Sequence, residues 1–563
     1  MLQETMHPLL QVTELLRIIF EHLEKEDLVR CALVCKSWSE VALDVVWFAV
    51  KDMGALANLL SPVKVTVLED YDDMDAVVPR FVYNFDPNPT TRDWSRFETK
   101  YSSRVRHLHF LGALVNARAM EYHDFASLLG VIQRVRSSSP LLPNLRSLEW
   151  YSKGDLCTLV DGVTFMHDTV NHCHMQYDCY DVARTTDVSF FIEAIHMRMP
   201  LLTSLHIHTA PAQELVSPLA SIFENLPHLT RVVVPAFKDI APLLSSLSKS
   251  SKLEELQFLY CNSDPRVAVA RTGSPLQRDA FAALAKLVLY GFSYSTAVCP
   301  LLSRNSLAGL RSLTLGTIEV EKLKAVQFVL RLLPSFAPNL VEFVLGCPEA
   351  PEPDEDAICE SIPFDAFRPI LECTKMEKFV WCLHNPLSLT DSDVEKITST
   401  WVDLKVLKLS SMLPLHRIQH PFNKPTLRAL SILTRRCLGL KDVSLYLDTT
   451  MFLEFESVSD TLPAMTTKFA DLEILDVGFS DIVPRHMSYT AMSLAQVCSP
   501  QCLLSWSPAD EATSSRWKMV QVMFLLFSDI FRLEAAVCNR DDQIVLLKEQ
   551  NRSLRHMLSQ GNT

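Results

Sequence analysis

Histidine and cysteine are the side chains whose crowding could most readily do chemistry in this chain. They gather between Tyr151 and Ser189, as His167, His172, Cys173, His174 and Cys179. These are zinc-ligand types, and a structural zinc ion needs four of them arranged tetrahedrally. Cys173 and His174 are adjacent, a poor arrangement for reaching one ion together, and the segment has no Cys-x-x-Cys pair. It reads instead as a long insertion, a surface loop of the kind that carries recognition. Cys31/Cys35 and Cys498/Cys502 each stand one helical turn apart, and the first pair lies in an apolar region and reads as core. The acidic stretch Glu349–Glu360 reads as an exposed excursion able to attract a basic segment.

Only 13 of the 563 residues are glycine, which weighs against phosphate-cradling loops. The P-loop, dinucleotide, nucleophile-elbow and zinc-protease signatures are all missing. These absences remove the commonest enzymes without excluding every enzyme, and the sequence singles out no catalytic, metal-binding or cofactor-binding residues. A net charge of −13 with no basic stripe argues against nucleic acid as a partner. A hydrophobic content of 48% supplies ample core. Neither a secretory leader nor a stretch of about 18 apolar residues is present, so no membrane partner is expected. The 15 scattered cysteines read as reduced thiols of an intracellular protein, cytoplasmic, nuclear or both.

The elements that must position any function begin at residues 8–50. Periodicity predicts three short helices. The first runs over Glu14–Leu23 with Thr13 as its cap, the second begins near Asp27, and the third begins near Ser37. Helices this short must pack on something. Their apolar faces are too wide for a unit of this size to cover: Leu15, Leu16, Ile18, Ile19, Phe20 and Leu23 on the first, Leu28, Val29, Leu33 and Val34 on the second. Some of that surface must meet a partner.

The spacing Glu14-Leu15-Leu16, Ile19-Phe20, Leu23, Asp27-Leu28, Val34-Cys35-Lys36-Ser37-Trp38 and Val46-Trp47-Phe48 resembles an F-box. The proline usual before the glutamate is replaced by Val12-Thr13. The resemblance implies docking of a Skp-type adaptor that bridges to a cullin. It implies Leu15, Ile18, Ile19, Leu28, Val29, Leu33, Val34 and Trp38 as the adaptor surface or its immediate support. Residues 51–100 read as a connector, with an acidic run (Glu69, Asp70, Asp72, Asp73, Asp75) as a solvated loop. The stretch Asp93–Leu108 resembles the join between box and repeats in basidiomycete fungal F-box proteins.

From 101 to 480 one frame recurs: apolar, two free positions, apolar, one free position, apolar. Examples are Val105/Leu108/Phe110, Leu145/Leu148/Trp150, Leu253/Leu256/Phe258, Leu340/Phe343/Leu345 and Leu472/Leu475/Val477. Pro143, Pro200, Pro227 and Pro338 each stand two residues ahead of a frame, where proline ends a helix and opens a strand. Helical patterns fill the gaps, as over Ser217–Leu226, Ile240–Leu247, Val320–Leu333 and Asp391–Trp401. Strand and helix alternating at this period predict an α/β repeat, an irregular leucine-rich solenoid with a parallel sheet on one face. Residues 481–514 read as a loop and 515–558 as a capping helix that runs into a short coiled coil. Leu533, Val537, Ile544, Leu547, Asn551, Leu554 and Leu558 fit heptad positions for self-association through 533–558, with Asn551 of the type that sets register in a parallel pair. The resemblance as a whole implies the substrate-recognition subunit of a ubiquitin ligase, a non-catalytic subunit and not an enzyme, with a protein substrate held on the repeats. The alternative is a protein-interaction scaffold outside a ligase.

Overall fold

The computed structural model describes residues 12–71, 77–111, 113–116, 119–136, 139–153, 159–178, 185–260, 276–277, 280–317, 321–346, 360–409, 422–450, 468–469, 471–507 and 511–560. Several expectations fall outside this set: Asp72, Asp73 and Asp75 of the acidic run, Cys179 and the acidic stretch at 349–359; of the heptad residues, the side chains from Ile544 to Leu558 also lie outside the description. The chain divides into two compact units, Met1–Phe292 and Ser293–Thr563.

The first unit opens with α1 (Thr13–Phe20), α2 (Lys25–Ala32) and α3 (Lys36–Val46). Their cap residues differ from the expectation. Thr13 and Asp27 are inside their helices, and Val12 and Glu24 flank them with no side-chain cap. Neither helix depends on a cap, because packing holds both. Leu16 and Phe20, one turn apart, turn inward with Leu28, Val41 and Ala42 to form a core, and Phe20 meets the Trp38 ring edge-on at 5.5 Å.

Ala49–Val50 then joins a parallel sheet beside His107–Leu111, and the order continues through 147–153, 172–178, 204–209, 231–235, 255–259 and 286–290. Arg104 ties the helices to this ladder, its guanidinium paired with the carboxylates of Glu40 and Asp44. The stretch read as a connector has structure of its own. Strands 63–71 and 77–85 form an antiparallel hairpin, and 77–85 pairs with 119–124. Glu69 and Asp70 are therefore strand residues and not part of a loop. The helix Thr91–Lys100 starts in a capping box between Thr90 and Asp93.

The second unit repeats the design: strands 312–316, 342–346, 378–382, 406–408, 442–444, 474–476 and 503–505 lie side by side in parallel. Residues 481–514, read as a loop, hold a further helix, Met487–Val497, and the strand 503–505. In both units the frame residues are the core, with Leu148, Leu205, Leu256, Leu313, Phe343, Leu407 and Leu475 all buried. The fold is thus a mixed α/β one, N-terminal helices followed by parallel strand-and-helix repeats. The last helix, Glu511–Gln560, buries Trp517, Val520 and Phe524, and the Trp517 indole donates to the Ser480 carbonyl at 2.8 Å.

Candidate functional site: an open apolar face on the N-terminal helices

On α1, positions 15, 18 and 19 share one face by helical geometry, while 16 and 20 share another. The second pair fills the small core. Among the described residues nothing covers the first: Leu15 is 38% exposed, Ile18 55% and Ile19 46%. On α2 and the turn after it, Val29 (50%), Leu33 (82%) and Val34 (57%) are exposed in the same way. Covering an aliphatic side chain is worth about 1.5–3 kcal/mol when complete, so these six offer a large unused driving force. Val12, also exposed, extends the face at the start of α1 and was not among the expected residues.

The remaining two expected residues lie elsewhere. Leu28 is buried in the core of the three helices, and Trp38 is half-buried against that core. They support the face from beneath. Sequence periodicity could not separate them, because Leu28 and Val29 are neighbours and both apolar.

Charges frame the face and do not cross it. Arg17 reaches Asp44 at 3.5 Å, joining α1 to α3, and Arg30 reaches Asp27 at 3.0 Å within α2. Glu14, Glu21, Glu24 and Glu26 are exposed on the rim. Cys35, between Val34 and α3, has its thiol held below the ordinary value by the Ser37 hydroxyl 3.2 Å away, whereas burial pushes the Cys31 thiol up.

The histidine and cysteine cluster does not converge. The segment read as a loop contains the strand 172–178, which pairs with 147–153 and 204–209. Cys173 and Met175 point into the core, and burial raises the Cys173 thiol to about 12. His174 stands on the opposite face, stacked on His206 at 3.8 Å and bonded to the Tyr151 hydroxyl at 3.0 Å. Burial, followed by the neighbouring His174, pushes His206 down to about 3. His167 is buried with Nε2 2.8 Å from the Leu142 carbonyl. Among the described residues, no three His, Cys, Asp or Glu side chains are grouped to hold a metal ion. No helix among them is long and apolar enough to cross a membrane.

Solved structures with a similar chain path include a chain of the TLR13–ssRNA13 complex, at 14% identity and a TM-score of 0.35, covering 75% of this chain and 52% of that one. A chain of the Rad7–Elc1 complex in yeast follows at 14% and 0.34, covering 64% and 75%. An internalin, InlF, of Listeria monocytogenes strain 4b F2365 gives 13% and 0.28, covering 69% and 92%. This chain spans about half the length of the first. At such scores these likenesses carry no weight for function. No curated protein matches the sequence. Residues 13–51 match the family described as F-box-like. The open apolar face, from Leu15 to Val34, therefore lies within an F-box-like domain.

Proposed function

We propose that this chain is the substrate-recognition subunit of a Skp/cullin/F-box ubiquitin ligase. The observation that carries the reading is the uncovered face formed by Leu15, Ile18, Ile19, Val29, Leu33 and Val34 inside the F-box-like domain. A Skp-type adaptor covers that face, with Leu28 and Trp38 holding its shape from below, and the adaptor bridges to a cullin. The repeats hold a protein substrate. Catalysis comes from proximity, because the chain positions its substrate near a ubiquitin-charged enzyme and supplies no reacting group. The setting is intracellular, and the irregular repeats fit the fungal kind of F-box protein.

The test is purification of the tagged full chain together with adaptor and cullin. Both are expected to be retained at stoichiometric levels. Recovery of the adaptor without any cullin points to the scaffold reading. Recovery of neither contradicts both.

A further inference from the structure

The helix Glu511–Gln560 has two apolar stripes. One, through Trp517, Val520 and Phe524, is buried within its own unit. The other, Met519, Leu526, Ile530, Leu533 and Val537, is exposed to between 45% and 62%, with nothing over it among the described residues. Its steps of three and four residues continue in the sequence through Arg540, Ile544, Leu547, Asn551, Leu554 and Leu558. In heptad terms Val537, Ile544, Asn551 and Leu558 are a positions, and Leu533, Arg540, Leu547 and Leu554 are d positions.

We propose that this stripe pairs antiparallel with a second copy of the same chain over Leu533–Leu558. Charge complementarity selects both the occupant and the direction. A parallel pair sets Arg540 against itself in the seam and Asp529 against Glu534, like charges in both places. In the antiparallel pair, Arg540 falls at the register of the partner's Asn551, both of them polar. In that register Ile544 meets the partner's Leu547, Val537 the partner's Leu554, and Leu533 the partner's Leu558. The flanking e positions then pair Glu534 with the partner's Arg555 and Asp541 with the partner's Lys548. Every polar core residue faces a polar one, and every flanking charge faces its opposite. The arrangement is self-complementary, as a two-fold interface requires. The overlap is about 39 Å long at 1.5 Å per residue, so the dimer is concentration-dependent. The proposed antiparallel register sets Asn551 opposite Arg540, in place of the parallel pairing expected from Asn551 alone.

The experiment is sedimentation of the full chain from about 1 to 100 µM. The mass is expected to rise from 63.7 kDa toward twice that value. Glu534→Lys with Asp541→Lys weakens dimerisation about tenfold or more. Adding Lys548→Glu and Arg555→Glu to the same chain restores it. Circular dichroism confirms that each variant stays folded. A monomer throughout the range, or a fourfold variant as weak as the double one, overturns the proposal. So does an Asn551→Cys chain that cross-links to itself through residue 551, because only parallel pairing brings those residues together.

Discussion

Neighbouring residues in the N-terminal helices have opposite fates, and this gives them different mutational signatures. Leu28 is buried with Leu16 and Phe20, so Leu28→Ala leaves a cavity and is expected to cost about 2–5 kcal/mol of domain stability. Ile18→Asp places a charge on an open face and is expected to change stability by less than about 0.5 kcal/mol. Local hydrogen exchange of α1–α3 distinguishes the two. Cys35 supplies a second check at this scale. Its thiol is shifted down by Ser37 while burial raises that of Cys31, so Cys35 is expected to alkylate faster near neutral pH, as peptide mass spectrometry would show. Bound adaptor is expected to slow that reaction, since Cys35 adjoins Val34. The sequence marked these residues as one apolar group. It could not assign each residue to core or face, because a helix that is apolar on both sides leaves the phase of its stripe undetermined.

Among the elements, the repeat strands were legible where leucine, valine or phenylalanine fills the frame. The strand 172–178 escaped because its frame is written Val170/Cys173/Met175 and its neighbours are histidines, which draw the eye to metal chemistry. The hairpin at 63–85 escaped because the acids that follow Val63, Val65 and Val67 mask the alternation. Two consequences are measurable. The imidazole of His206 is held neutral, its pKa near 3 against about 6.5 in an unfolded chain. The unfolded chain therefore takes up a proton below about pH 6.5 that the folded one refuses until about pH 3, and stability present above that window is lost as pH falls through it. Melting temperature is expected to drop between pH 7 and pH 5, and His206→Gln is expected to flatten that drop. In the second unit, Gly346 has φ +104° and lies against the Cys382 backbone, so that an added Cβ would collide with the Cys382 carbonyl. Gly346→Ala is expected to cost about 2–4 kcal/mol, read from denaturant unfolding.

For the whole molecule, the contrast is that one short domain holds an open apolar face while the repeat frames bury theirs. The repeats satisfy their own apolar surface strand by strand, as the buried frames show. The three N-terminal helices cannot, because five core residues use only one side of each helix. That imbalance was readable in the sequence as surplus apolar surface. The substrate that the proposed function assigns to the repeats was not, because a recognition surface is written in the free positions between frame residues, and no repeating pattern constrains them.

The most direct test is calorimetric titration of a purified Skp-type adaptor into this chain and into an Ile18→Asp/Leu33→Asp variant of unchanged melting temperature. Saturable binding to the parent chain is expected, weakened at least about a hundredfold in the variant, since each of two central anchors is worth about 2 kcal/mol or more. Equal affinity for both would contradict the account, because the adaptor would then not be using the open face of α1 and α2.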